Sequence, residues 1–261
     1  MKESIRIYEE PQLHRPSLVA AWPGMGQVAL QGVAYLREKL EAVEFAEIDP
    51  MPYSEVGGVF IEGNLIQPPR FPENKFHYWR HPQRRGDLVF FTGEAQPSHH
   101  AYDFACRVLE VGERLGVERV ITLAAALVPE FPEQPRVWGA ASSPQMAEEL
   151  QKYGVVLKGD FYVAGMNGLL LAVARERGLE TVCLLGETPR FAPQVENPAA
   201  SLVVVEALAQ FLGLEVDLGD LRQMAGKARQ EMERFLMESR KEFIDRFTIP
   251  IWERRDEEEK A

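Results

Sequence analysis

Cysteine is nearly absent from this chain of 261 residues: Cys106 and Cys183 stand alone, each inside an apolar segment. That excludes a disulfide framework and a Cys-x-x-Cys metal or redox motif, and both thiols are expected to be structural. Basic residues are also in short supply, 29 against 40 acidic ones. The resulting charge of −11 argues against a nucleic-acid or anionic-membrane surface. No run approaches eighteen apolar residues, and Met1 to Glu10 is charged without an apolar core. Neither membrane insertion nor export is therefore expected, and the expected location is the cytoplasm. The chain has no His-Glu-x-x-His, no Gly-x-x-x-x-Gly-Lys-Ser/Thr and no Gly-x-Ser-x-Gly, so zinc-protease, P-loop and serine-hydrolase readings fail. On a helix the adjacent His99 and His100 would point about 100° apart and would not share a metal. No metal, no cofactor and no catalytic residue is assigned.

What the chain does contain is a series of apolar runs, each broken by a loop with glycine or proline. Leu18 to Trp22 reads as a strand, Pro23-Gly24-Met25-Gly26 as a tight loop, and Ala29, Val33, Leu36 and Leu40 as one face of a helix starting near Gly26 or Gln27. The amides and positive dipole end of that helix would suit a phosphate, a carboxylate or a neighbouring acidic side chain. A dinucleotide fingerprint is incomplete here. Position 29 is Ala where a third glycine is usual, and Pro23 precedes the first glycine, although Asp49 lies at the end of the next run.

Ala42 to Asp49 alternates as a strand with one wetter face, and Pro50 and Pro52 stop it. Gly57 to Ile61 and Phe76 to Arg80 read as short strands of a β meander or hairpin inserted in an α/β scaffold. Asp87 to Thr92, Val120 to Ala126 and Thr181 to Glu187 read as the buried strands of a parallel sheet, the first with no alternation, as a strand covered on both faces has none. Ser98 is expected to cap the helix that follows the second of these loops, and Ser143-Pro144 to start a short helix. Glu94 and Glu187 at strand ends could form an acid/base pair if their strands are close, or could cap loop amides. Leu221, Ala225, Ala228, Met232 and Phe235 form a heptad-like stripe on a C-terminal helix. The expected organisation is an α/β domain over 1–213 with a β insertion at about 53–82, a helical appendage over 214–250, and a charged, disordered tail over 251–261.

Four segments, in this order and spacing, carry a family resemblance: Trp22-Pro23-Gly24-Met25-Gly26-Gln27-Val28, Gly93-Glu94-Ala95-Gln96-Pro97, Gly165-Met166-Asn167-Gly168 and Asn197-Pro198-Ala199-Ala200. Together they resemble the proteasome assembly chaperone 2 family over nearly the whole domain. The resemblance implies an α/β fold similar to the nucleoside phosphorylase/hydrolase class, a homo-oligomer, with trimers among bacterial members, and no established catalysis. Archaeal relatives that dock on the proteasome end in a hydrophobic-Tyr-x tail, whereas this sequence ends Glu257-Glu258-Glu259-Lys260-Ala261.

The expected fold is thus a three-layer α/β/α sandwich with a mainly parallel sheet and C-terminal helices. The candidate ligand-binding residues are Pro23, Gly24, Met25, Gly26 and Gln27 in the first loop, Glu94 and Gln96 in the second, Gly165, Asn167 and Gly168 in the third, with Glu187 and Asn197 near the last strand. Two functional expectations follow. One is a non-catalytic assembly or scaffold protein, homo-oligomeric and expected to be a trimer, with a protein partner and neither nucleic acid nor membrane. The other is a phosphorylase-like enzyme or a binder of a small anionic ligand such as a nucleoside phosphate. Assembly contacts are expected from the C-terminal helix, from an aromatic surface at Phe76, Tyr78 and Trp79, or from both.

Overall fold

The computed structural model describes residues 4–248, with side chains through Glu238. Its strands are β1 (Ile5–Ile7), β2 (Ser17–Ala21), β3 (Val43–Ile48), β4 (Ile61–Glu62), β5 (Leu65–Ile66), β6 (Asn74–Trp79), β7 (Leu88–Gly93), β8 (Arg119–Val128), β9 (Val137–Ala141) and β10 (Glu180–Pro189). Its helices are α1 (Val28–Lys39), α2 (Ala101–Arg114), α3 (Pro144–Gln151), α4 (Met166–Glu176), α5 (Pro198–Leu212) and α6 (Gly219–Thr248). Eight strands make one sheet in the order β1-β3-β6-β7-β2-β8-β10-β9. The four apolar runs β7, β2, β8 and β10 lie side by side and parallel. Antiparallel strands extend the sheet on both sides, with β6, β3 and β1 beyond β7 and with β9 beyond β10.

Alternation along each central strand sorts side chains into two cores, because successive residues point to opposite faces. Val19, Phe90, Ile121, Leu123, Val182 and Leu184 pack beneath α1 and α5. Leu18, Trp22, Val89, Phe91 and Val120 pack beneath α2 and α4. All five residues of β2 are buried, which is why the run shows no polar alternation. The arrangement is a three-layer α/β/α sandwich with helices following the sheet at its C-terminal end. Among the described residues no helix is long and apolar enough to cross a membrane.

Local signals act where they were expected at α3, where Ser143 Oγ accepts from Met146 N at 3.3 Å and Pro144 fills the first turn. At α2 the expectation is corrected. The helix begins at Ala101 after His100, whose φ of 53° is left-handed, and Ser98 donates its own amide to Tyr53 O at 2.8 Å. Ser98 is too far upstream to reach the first-turn amides.

A second correction concerns β6. It joins the central sheet between β3 and β7, and Phe76 and Tyr78 are buried rather than displayed. Phe76 packs on Phe91 with ring centroids 4.7 Å apart and on Phe45 at 5.9 Å, while Tyr78 meets Phe45 at 5.9 Å. The aromatics at alternate positions give β6 one apolar face, and the core takes it up; Trp79 on the other face is half-buried. Among the described residues, only β4 and β5 stand apart as a separate ribbon.

The stripe on α6 is divided. Leu221 and Ala225 are buried against the domain, whereas Phe235 is 59% exposed. The expected tail over 251–261 lies outside the described residues.

Candidate functional site

At the carboxyl ends of the parallel strands the loops after β2 and β7 meet the start of α4. This is where open parallel sheets carry their ligands. Asn167, 5% exposed, sits in the first turn of α4 and addresses both backbone groups of Trp22: its Oδ1 accepts from Trp22 N at 3.2 Å and its Nδ2 donates to Trp22 O at 3.4 Å. Its own carbonyl accepts from Thr122 Oγ1 of β8 at 2.8 Å. Gln96 makes a parallel tie, with Nε2 donating to Pro23 O at 2.8 Å and Oε1 accepting from Met166 N at 3.0 Å. Two glycines make this approach possible. A Cβ on Gly168 would stand 1.9 Å from Val163 O, and Gly165 adopts a φ of 70° with Gln96 Oε1 only 3.1 Å from where a Cβ would lie.

Gly26 and Asn197 belong to a second cluster on the far side of the Gly24 loop. Gly26 N donates to Pro193 O and Gly26 O accepts from Asn197 N, both at 2.8 Å. Asn197 also caps α5, with Oδ1 accepting from Ala200 N at 3.1 Å and Nδ2 donating to Thr188 Oγ1 at 3.3 Å. Gln27 N donates to Gly24 O at 3.0 Å and Val28 N to Met25 O, so these first-turn amides of the loop and α1 already have carbonyl acceptors.

Glu94 and Glu187 are not brought together. Strands β2 and β8 lie between their own, a separation of three strand spacings or about 14 Å. Glu94 turns away from the Gly24 loop; it accepts from Arg70 at 3.3 Å and from Glu73 N at 3.0 Å. Glu187 is buried and accepts from Arg136 Nε and Trp138 Nε1, each at 2.9 Å, and from Arg136 N at 3.0 Å. Burial pushes its carboxyl up, but the bonds from Arg136 and Trp138 outweigh that and hold it below the ordinary range. Burial likewise drives the Cys183 thiol up to about 12, against a smaller opposing effect of Thr122, so it is not a nucleophile at neutral pH. Among the described residues no group of three or more His, Cys, Asp or Glu could hold a metal.

Sequence reasoning missed two features. One is the polar support, Thr122, Thr188, Arg136 and Trp138; Thr122 was visible as the one hydroxyl inside an apolar strand. The other is an open cleft of about 360 Å³ between Met25, the end of β8 and the loop over 158–162, where Phe161 and Tyr162 project into solvent. A neighbouring cleft of about 570 Å³ runs along Gln96, Gly165 and Gly168 and shares Tyr162 with the first.

Comparison with known proteins bears on this geometry. The model described as "PAC2 family" matches residues 18–236. A relative, the uncharacterized protein MJ1210 of Methanocaldococcus jannaschii, is 24% identical over 230 residues, covering 88% of this chain and 86% of the relative. Pyrococcus furiosus PbaB, described as an archaeal proteasome activator, superposes with a TM-score of 0.77 at 27% identity, over 90% of this chain and 99% of its own. The proteasome-assembly chaperone homologue Rv2125 of Mycobacterium tuberculosis gives a TM-score of 0.71 at 23% identity, over 84% and 94%.

Proposed function

This chain belongs to the PAC2 family, and on that premise we propose that it is a non-catalytic assembly or scaffold protein that works in the cytoplasm as a homo-oligomer, with the trimer as its expected form. The observation that carries this reading is the state of the candidate residues. Asn167, Gln96, Asn197 and Glu187 spend their polar atoms on backbone and side-chain partners that fasten the loops. A general acid or base must instead reach a substrate proton. The likeness to PbaB supports a protein partner and makes a proteasome particle the partner class to try first. Light scattering should report about three chains, and a purified proteasome core particle should retain the protein in gentle co-sedimentation. A single-chain mass at micromolar concentration together with no retention would sink the proposal.

The cleft beside Gln96, Gly165 and Gly168 favours a second reading, in which a small anionic ligand binds at the strand ends, with Pro23 to Gln27, Glu94, Asn167, Glu187 and Asn197 shaping the loops around it. A thermal-shift screen with phosphate, nucleosides and nucleotides decides it, since a ligand at a hundred times its dissociation constant adds about 2.7 kcal/mol of stability. A screen in which no compound moves the melting point removes this reading.

A further inference from the structure

The ribbon β4–β5 is built like a docking element. Gly63 and Asn64, with φ of 54° and 66°, make the two-residue turn that fits tight hairpins, and Ile61 faces Ile66 while Glu62 faces Leu65. Its apolar side chains have no cover: Phe60 and Ile66 are 76% exposed, Ile61 70% and Leu65 69%. A lone two-stranded ribbon is marginal in water, and an apolar surface of this kind marks a contact. At the same end of the sheet, beyond β7 and β2, lies the cleft formed by Met25, Leu127, Trp138, Phe161 and Tyr162, which the chain's own hairpin leaves unfilled.

We propose that the hairpin of one chain seats Phe60 and its aliphatic neighbours in this cleft of a second copy. The inference rests on the homo-oligomer reading above and names its contact. Charge argues for a copy as the occupant. A chain of net charge −11 can associate with itself only where acids are sparse, and Glu62 is the single charged residue between Val56 and Pro69. The cleft offers Lys158 on its wall and the exposed Arg190 beside Val128, against one acid, Asp160, on the wall. Pairing two hairpins would instead set Glu62 against Glu62. Area agrees as well. Phe60, Ile61, Leu65 and Ile66 together present on the order of 450 Å² of apolar surface, more than half of the ~800 Å² that each side of a standard interface contributes. The contact joins two different patches of one chain, so it repeats head to tail and gives a closed ring when the rotation between successive copies closes.

The test uses the full chain with Cys106→Ser. In that background the double variant Ile61→Cys, Leu127→Cys, treated with a short bismaleimide, should give covalent dimers and trimers on a denaturing gel, and each single variant none. Separately, Phe60→Asp with Ile66→Asp should lower the light-scattering mass to one chain, with circular dichroism unchanged and a cooperative melt retained whose midpoint no longer depends on protein concentration. An assembly that keeps its mass in the aspartate variant and fails to cross-link overturns this contact and leaves the homo-oligomer standing. Cross-linking by the single Ile61→Cys variant overturns it in favour of hairpin pairing. A wild-type chain that is already single at micromolar concentration overturns both.

Discussion

The loops around Asn167 and the β4–β5 hairpin sit at the same end of one sheet and obey opposite rules. Around Asn167, polar side chains are buried and bonded, and glycines let backbone approach backbone; at the hairpin, apolar side chains stand in water with no partner. The first region is complete in a single chain, and its residues hold the fold. The second is incomplete in a single chain, and its residues cost exposure until something covers them. Polar residues at strand ends look functional in sequence, yet here they fasten loops, whereas a run with Glu62 as its single charge looks like an ordinary strand and is the part left open.

Four changes would break or sharpen that contrast. Asn167→Ala removes both partners of Trp22's buried backbone N–H and C=O; at about 2 kcal/mol for each unsatisfied group it should cost about 4 kcal/mol in urea unfolding. A loss under about 1 kcal/mol would mean the loops are not tied through this residue. Gly168→Ala drives a methyl into Val163 O and should cost about 3 kcal/mol, the upper end of ordinary overpacking, measured in the same way.

The third change is one of pH. His77 on β6 is buried with no partner for Nδ1, and burial, aided by the charges of Arg37 and Lys75, lowers its pKa from 6.5 to about 4. The folded imidazole stays neutral while the unfolded one takes a proton, so its contribution is whole above pH 6.5 and declines as pH falls towards about 4. Between pH 6.5 and 5 the loss should be about 1.5 kcal/mol, as the unfolded imidazole goes from half to almost fully protonated, and His77→Gln should flatten that part of the stability curve. An unchanged curve would place the imidazole in contact with solvent.

The smallest effect belongs to the hairpin. Phe60→Asp should change monomer stability by less than about 0.5 kcal/mol, because no native packing is removed. A loss comparable to that of Asn167→Ala would erase the distinction between the two regions.

Much of the scaffold was legible in short stretches of chain. The unbroken apolar runs at Leu18, Leu88, Val120 and Thr181 became the four parallel strands, and Ser143-Pro144 started α3 where it should. The hairpin was not: the strand expected at Gly57 to Ile61 begins only at Ile61, and the turn pair Gly63-Asn64, between Glu62 and Leu65, went unread. Ser98 misled because a cap works only within its own first turn, and the chain needed two further residues to leave the β7 loop.

The sequence by itself determined which segments are strands and helices and which faces are apolar, because periodicity and capping act between residues a few positions apart. Tertiary structure decided what those segments meet. Asn167 finds Trp22 across 145 positions, β6 enters the central sheet and buries Phe76 and Tyr78, and two intervening strands part Glu94 from Glu187. Strand order sets those distances, and strand order follows from how two apolar faces are covered at once, a condition on the whole chain that no local spacing encodes.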